Sequence, residues 1–435
     1  MTNKKHLNYK QVASYYYVNE IPTDWELLPN IALFDERRIK NAVTEEVLSI
    51  SKYKGIVKSS EFRNTKDRTS SNKSEYLLVK KNDLAYNTML MWDGAVGYSE
   101  FQGIVSPAYT VLKPKQDINT KYFHYLFRSE FYSDYSKRFS YGINDFRLRL
   151  YYTYFKRMYS IVPPFDTQNK IAEYLDRKQK QANNFIRKQQ KMIELLKEQK
   201  KAIINQAVTK GLNPNVKMKD SGIEWLGKIP EHWEVRKLKF LLKPNGLIRG
   251  PFGSALKTNS FVKKGYKVYE QKNAIYKDLT IGSAYIDKLK FNELKRFEVQ
   301  INDFLMSCSG TIGKLHQVIE NFGKGIINQA MMIMRVNNQI IPSFFVWLFE
   351  SDYIKTTILD NSKGSAMKNL VGINEFKSLI IPLGNTDEQK EIVRFIKYKN
   401  SKIDLAISKA EEEITLSKEY LDSLIFNVVT GQICV

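Results

Sequence analysis

Few of the residue types that carry out covalent chemistry fall at useful spacings in this chain. The four histidines, His6, His124, His232 and His316, are scattered, and none has metal-ligand spacing with a cysteine or an acid. No metal site is therefore expected. Gly313-Lys314 is followed by Leu315 and lacks the upstream glycine of a phosphate loop. No Gly-x-Gly-x-x-Gly follows a strand-like run, so no cradle for a dinucleotide or adenosyl cofactor is visible. Pro163-Pro164-Phe165 matches the end of the tetrad used by amino-methyltransferases, but Val162 stands where a polar residue must bond the amine. Glu388-Gln389-Lys390 has the spacing of a nuclease Glu-x-Lys, yet it lies in a helix's first turn, where the dipole alone favours acids. The expectation is a binding protein, not an enzyme, with no cofactor of its own.

What remains is recognition of a polyanion. The 435 residues carry 68 Lys and Arg against 46 Asp and Glu, a net charge of +22, with a pI near 9.5. That balance points to nucleic acid. An ordinary basic composition is the plain alternative. The excess is spread over globular segments and not gathered in a tail, as a folded binding surface requires. With 43% hydrophobic residues the chain can build packed cores. Its two cysteines, Cys308 and Cys434, are far apart, which fits a reducing compartment better than a disulfide scaffold. No run of about 18 apolar residues and no apolar segment near the N-terminus are present, so a cytoplasmic protein away from membranes is expected.

The elements that must position such a surface come in two copies. Ile21-Pro22-Thr23-Asp24-Trp25-Glu26 returns as Ile229-Pro230-Glu231-His232-Trp233-Glu234. Asn82-Asp83-Leu84 returns as Asn302-Asp303-Phe304, and Gly94-Ala95-Val96-Gly97 as Gly310-Thr311-Ile312-Gly313. Tyr125-Leu126-Phe127-Arg128-Ser129 returns as Trp347-Leu348-Phe349-Glu350-Ser351, and Ile161-Val162-Pro163 as Ile380-Ile381-Pro382. Gln168 and Ile171 then match Gln389 and Ile392, and Val208-Thr209 matches Val429-Thr430. Order is kept throughout, which chance does not produce, and the unit is far longer than a solenoid repeat.

The pattern divides the chain into an N-terminal segment 1–20, a globular part 21–165, a helix 166–212, a linker 213–228, a second globular part 229–384 and a second helix 385–435. Neither Gly nor Pro interrupts 168–209 or 387–430. Asp166-Thr167 and Thr386-Asp387 offer N-cap oxygens, while Gly211 and Gly431 offer stops. Apolar residues recur mainly in steps of three, four and seven: Ile171, Leu175, Ala182, Phe185, Ile193, Leu196, Ile203 and Ala207 in one helix, Ile392, Ile396, Ile403, Ala406, Ile414, Leu421, Leu424 and Val428 in the other. That is a coiled-coil seam, and about 42 residues would make a rod of ~63 Å. Two independent surface helices are the alternative. The globular parts alternate short β-rich runs, such as Tyr76–Val79, Ala108–Leu112 and Ala330–Met334, with turns; one helix each is expected near Tyr122–Phe131 and Phe344–Ile354. The fold class is α+β, two such domains in tandem.

The stretch Asp220-Ser221-Gly222-Ile223-Glu224-Trp225-Leu226-Gly227-Lys228-Ile229-Pro230-Glu231-His232-Trp233-Glu234 resembles the start of the second half of the specificity (S) subunit of type I restriction–modification enzymes. Two globular halves, each followed by a helix opening with Pro-x₅₋₆-Gln-x₂-Ile, agree with that family over nearly the whole chain. The first half departs from it, having Ala13-Ser14-Tyr15-Tyr16-Tyr17-Val18 where the Gly-Ile-Glu-Trp-Leu-Gly preamble would stand. The resemblance implies two target recognition domains that each read half of a bipartite double-stranded DNA sequence. It also implies long helices that pair antiparallel with pseudo-twofold symmetry, act as a spacer and bind two methyltransferase subunits, with restriction and translocase subunits joining through that complex. Adenosylmethionine, ATP and Mg would then belong to partner subunits. A non-specific nucleic-acid-binding coiled-coil structural protein is the rival reading.

On that reading, base edges would be met by loop side chains and phosphates by lysines and arginines. The first domain offers Arg63, Lys66, Arg68 and Lys73 from a donor-rich loop that reads equally as solvated surface. It also offers Asn144, Arg147 and Arg149, the two arginines falling on one strand face. Trp92, beside Asp93-Gly94, is either a DNA contact or core. The second domain offers Arg249, Phe252, Ser254 and Lys257 from a glycine-bearing loop that resembles one recurrent in the family's recognition domains. Lys363, Lys368 and Asn369 align roughly with 137–145 of the first copy. Lys314 closes a turn that reads first as a plain hairpin.

Overall fold

The computed structural model describes residues 8–12, 18–40, 42, 44–51, 55–61, 73–115, 118–142, 148–224, 226–319, 322–360, 370 and 372–435. These form two compact units: Met1–Gln190 with Glu411–Val435, and Lys191–Ala410.

In the first unit, β1 (Phe34–Glu36), β2 (Leu84–Asn87), β3 (Val96–Tyr98) and β4 (Tyr109–Pro114) form an antiparallel sheet in the order β1-β4-β2-β3. Successive residues of β2 point to opposite faces. Leu84 and Tyr86 enter an aromatic core with Phe34, Tyr122, Phe123 and Phe127, while Ala85 joins Leu48, Ile56, Val79 and Val111 on the other side. Covering both faces explains why Leu84, Ala85 and Tyr86 are all buried. Helices α1 (Thr120–Arg128) and α2 (Glu130–Arg138) line the aromatic core. Asn119 caps α1 by accepting from the Lys121 and Tyr122 amides. The single helix expected near Tyr122–Phe131 is thus two. Ser129 takes an extended conformation and turns its hydroxyl onto the Leu126 carbonyl, competing with the helical ladder.

The second unit repeats this plan. β5 (Leu242–Arg249), β6 (Phe304–Ser307), β7 (Leu315–Gln317) and β8 (Met331–Val336) lie in the order β5-β8-β6-β7, and α4 (Pro342–Glu350) and α5 (Asp352–Asp360) are broken at Ser351 as α1 and α2 are at Ser129. Among the described residues the first unit adds four two-stranded pairs to its sheet, whereas the second adds two such pairs and another four-stranded sheet of Phe261–Val262, Tyr285–Ile286, Tyr266–Tyr269 and Gly325–Ile327.

The repeat extends to buried polar groups. Asp83 bonds Arg37 at 2.7 and 3.0 Å and accepts from the Lys80 amide; Asp303 bonds Arg335 at 2.8 and 3.1 Å and accepts from the Gln300 amide. The carboxylates occupy equivalent turns after Asn82 and Asn302, both left-handed, yet Arg37 follows the first strand of its sheet and Arg335 lies on β8. Trp25 and Trp233 are fully buried.

The long helices are α3 (Phe165–Lys210) and α6 (Thr386–Val429). α3 starts directly after Pro163-Pro164, where a missing N–H costs nothing, so Asp166 lies in its first turn and not at the cap. For α6 the capping oxygen belongs to Asn385, which accepts from the Asp387 and Glu388 amides, and not to Thr386. Gly211 and Gly431 end the two helices at φ of 72° and 75°, the left-handed conformation glycine adopts without penalty.

Within the first unit Ile171 and Leu175 of α3 share a core with Leu424 and Val428 of α6, and Gln189 bonds Glu413. Within the second, Ile204 and Val208 share a core with Ile392 and Ile396, and Lys200 bonds Asp404 at 2.6 and 2.7 Å. In each unit the partner's number falls as α3's rises, so the pairing is antiparallel. Of the expected seam, Ile171, Leu175, Ile193, Ile392, Ile396, Ile403 and Leu424 are buried, and Leu196, Ile203, Ile414 and Leu421 are half-buried. Phe185 is exposed; its neighbour Ile186 keeps the rhythm, because a one-residue step turns a helical side chain by about 100°. Ile204, adjacent to Ile203, is the more buried of the two.

Candidate nucleic-acid interface

The hairpin that closes β6 onto β7 carries the turn Ser309–Lys314, and three further segments of the second unit meet it. The Cys308 carbonyl accepts from the Leu370 amide, the Ser309 amide donates to Gln271 Oε1 at 3.2 Å, and the Lys314 amide donates to Ser307 Oγ. Arg249, at the end of β5, lies close enough to Cys308 to act on its thiol. Burial raises that thiol to about 12 while Arg249 pulls the other way. A thiol so protonated is no nucleophile. Gly310 and Gly313 both take φ above 60°, which holds the turn open to solvent.

The loop after Arg249 is set by Gly250, where an added Cβ would meet the Asn328 carbonyl oxygen at 1.9 Å. The close approach this glycine permits is thus to the protein's own backbone. Beyond it Phe252 is 90% exposed, and Ser254 and Lys257 are exposed as well. An apolar ring held in water on a loop flanked by cations suits insertion against nucleobases.

The first unit has the matching arrangement. The hairpin between β2 and β3 carries Trp92, and the Leu150 amide donates to the Thr88 carbonyl as Leu370 does to Cys308. Trp92 is half-buried, with its indole N–H on the Met89 carbonyl at 2.8 Å and the Lys137 ammonium 5.8 Å from the ring. Arg149 is exposed and bonds the Tyr151 hydroxyl, while its backbone pairs with Tyr141, a 56% exposed ring packed at a 34° tilt against Tyr154. Lys73 is half-buried. Arg63, Lys66, Arg68, Asn144, Arg147, Lys363, Lys368 and Asn369 lie outside the described residues.

Four residues that the sequence reading did not single out as site residues lie in this part of the second unit. Glu350, at the end of α4, accepts from Lys355 at 3.0 Å and lies 3.5 Å from Lys277, and Gln271 supports the turn itself. In the repeat Glu350 replaces Arg128, so a reversal of charge at equivalent positions was the available signal. Among the described residues no group of His, Cys, Asp and Glu could hold a metal ion, and no helix is long and apolar enough to cross a membrane.

Comparison with known proteins shows what this arrangement resembles. The profile described as "Type I restriction modification DNA specificity domain" matches residues 230–416. The chain is 33% identical over 103 residues to the type I restriction enzyme EcoBI specificity subunit of Escherichia coli, covering 23% of this chain and 21% of that one. It is 24% identical over 382 residues to the type I restriction enzyme MjaVIII specificity subunit of Methanocaldococcus jannaschii, covering 82% of this chain and 80% of that one. A putative type I specificity subunit, MjaX, from the same organism is 26% identical over 39% of this chain and 40% of its own. The alignment thus spans most of one curated relative and less than half of the other two. Two solved structures share the fold: a chain from a type I R-M system studied for complex assembly and conformational transition, with TM-score 0.72, 10% identity and coverage of 95% and 99%, and the HsdS subunit from Thermoanaerobacter tengcongensis, with TM-score 0.58, 11% identity and coverage of 97% and 100%. Residues 230–416 thus match the type I DNA specificity domain, and most of the chain, with its duplicated α+β units and antiparallel helices, is similar to specificity subunits of type I restriction–modification enzymes.

Proposed function

We propose that this chain directs a type I complex to a bipartite DNA sequence, each unit reading one half-site. The observation that carries the reading is that the two units keep one buried framework, with Asp83 and Asp303 and the hairpin contacts in register, while the side chains around the turns differ. A duplicated scaffold with different surfaces is what two different half-sites require, and non-specific binding needs neither. Phosphate contacts would come from the excess of cations, base contacts from the loops around Trp92, Arg149, Arg249 and Phe252.

The helices would recruit two methyltransferase subunits. Each unit leaves apolar side chains of the pair in water: Phe185, Leu416 and Tyr420 in the first, Met192, Leu195, Tyr398 and Leu405 in the second. Leu195 and Leu416 are equivalent in the repeat and 52% and 54% exposed, as a partner binding twice would need. The chain itself would be non-catalytic and cytoplasmic. Adenosylmethionine, ATP and Mg would bind in the methyltransferase and restriction subunits.

Co-expression with a cognate methyltransferase subunit in a methylation-free host, followed by long-read mapping of modified adenines, tests the reading. A split motif with a fixed unread gap is expected. Exchanging residues 21–165 for another member's domain should then change one half of the motif alone. A change in both halves, or in neither, would sink the proposal.

A further inference from the structure

Among the described residues four non-glycine positions take a left-handed backbone. Three are asparagines, Asn82, Asn245 and Asn302, which tolerate it; the fourth is Lys277, at φ 54°. A lysine gains no local hydrogen bond from that conformation, so the surroundings must impose it. What it achieves is visible: Lys277 stands 3.5 Å from Glu350, across from Lys355, whose ammonium bonds both the Glu350 carboxylate and its carbonyl. Burial would raise the Glu350 carboxyl, yet the Lys355 hydrogen bond and the charges of Lys355, Lys277 and Lys314 bring it below its ordinary value. Two lysines from separate segments thus contact one carboxylate, and the charge of a third, Lys314, also acts on it. Lys314 closes the Ser309–Lys314 turn, the charge of Lys277 also acts on His316 two residues beyond it, and the exposed Tyr276 adjoins Lys277 in the chain.

We infer that Lys277, Lys314 and Lys355 form a phosphate clamp that grips the DNA backbone beside the second unit's half-site, with Glu350 as the positioning residue that gathers them. The inference rests on the DNA-reading function proposed above and assigns it a backbone contact. Glu350 supplies in the free protein the negative charge that a phosphate supplies in the complex. Solvated lysines would otherwise repel one another and lose side-chain entropy on being brought together by DNA.

The test uses the full chain assembled with its methyltransferase subunits, and two duplexes, one carrying the mapped motif and one with that motif scrambled. Affinity is measured from 50 to 200 mM salt for the wild type, for each of Lys277→Gln, Lys314→Gln and Lys355→Gln, for the triple variant, and for Glu350→Gln. Each phosphate contact contributes a slope of about 0.9 in log affinity against log salt, or ~3.5-fold across that range. The triple variant should therefore lose ~40-fold less affinity over the range than the wild type, equally on both duplexes and with an unchanged methylation motif. Glu350→Gln keeps all three cations but removes the carboxylate that gathers them, so affinity should fall on both duplexes while the salt slope stays within about 0.9 of wild type; unchanged affinity would overturn its positioning role. Wild-type slopes in the lysine variants, or lysine effects on subunit assembly without any on the DNA slope, would overturn the clamp. A wild-type complex that bound both duplexes alike would instead overturn the DNA-reading function on which it rests.

Discussion

Gln389 and Gln168 hold equivalent places at the start of the two long helices, but they are tied in differently, and that difference sets a measurable order. Both are buried. The Gln389 amide donates to the Gln339 and Gly384 carbonyls at 3.0 Å each, and its oxygen accepts from the Ile341 amide at 2.8 Å. It thereby pins α6 to the loop leading into α4. Gln168 donates to the Pro163 carbonyl at 2.8 Å and accepts from the Asn119 amide at 2.9 Å. Leucine fills either site but bonds nothing, so Gln389→Leu strands three backbone groups, one buried and two part-buried, and Gln168→Leu two, one buried and one part-buried. At roughly 1–3 kcal/mol for each stranded group, reduced by partial relaxation, the costs should be about 4 and about 2.5 kcal/mol. Hydrogen exchange read by mass spectrometry on the full chain reports each unit separately, which a global melt of a two-unit protein does not. Protection of the most stable peptides should fall about 1000-fold in the second unit for Gln389→Leu, and about 100-fold in the first unit for Gln168→Leu. Equal losses, or a loss below about tenfold for Gln389→Leu, would refute the argument that these amides clamp helix to domain.

Further outcomes follow from other contacts. Asp303→Asn leaves the Arg335 guanidinium against a neutral partner and should cost the second unit about 3 kcal/mol; replacing both residues by leucine should cost less than the sum of the single changes, as a double-mutant cycle in urea would record. Asn400 is buried in α6 with neither amide atom bonded in the structure, so Asn400→Leu should stabilise the second unit by about 1–2 kcal/mol, raising its urea midpoint. Phe252→Ala should leave that midpoint within about 0.5 kcal/mol of wild type, because the ring is almost wholly in water, while weakening binding of the mapped motif. Desolvation, then Arg128 and Lys121, hold the His124 imidazole well below its ordinary value, and its Nδ1 accepts from the Tyr98 amide. The unfolded chain therefore binds a proton below pH ~6.5 that the folded one refuses. Exchange protection in the first unit should fall as pH drops from 7 to 5, and His124→Asn should flatten that fall.

How much of this was legible in the sequence depends on the range of the interaction. The duplication, the long helices and their glycine stops were plain, because periodicity and left-handed ends are written locally. The expected seam residues are buried or half-buried except Phe185, where two apolar neighbours compete for one position and Ile186 is the less exposed. The breaks at Ser129 and Ser351 were missed because serine inside an apolar run carries no strong helix-ending signal until its hydroxyl finds a carbonyl. Lys277, Lys355 and Glu350 were invisible for another reason: Lys277 lies 73 and 78 positions from Glu350 and Lys355, in groups of ordinary surface composition, and only the fold brings it to them.

The two buried aspartates show what the repeat preserves. Asp83 and Asp303 sit in the same left-handed Asn-Asp turn, and each also accepts from a backbone amide three residues earlier. An unpaired carboxylate there would be costly, so each copy needs a guanidinium, but the need does not specify which strand provides it. One copy uses Arg37 after β1 and the other Arg335 on β8. Alignment of the two halves residue by residue would find no matching arginine, although the charge requirement is met identically in both. The same logic applies in reverse at Arg128 and Glu350, where the position repeats and the charge does not. Where the scaffold is at stake the chemistry is kept and the residue moves; where the surface is at stake the position is kept and the chemistry changes. A substitution at the first kind of site should therefore alter stability in one unit and leave the DNA motif untouched, whereas one at the second should alter binding and leave stability nearly unchanged.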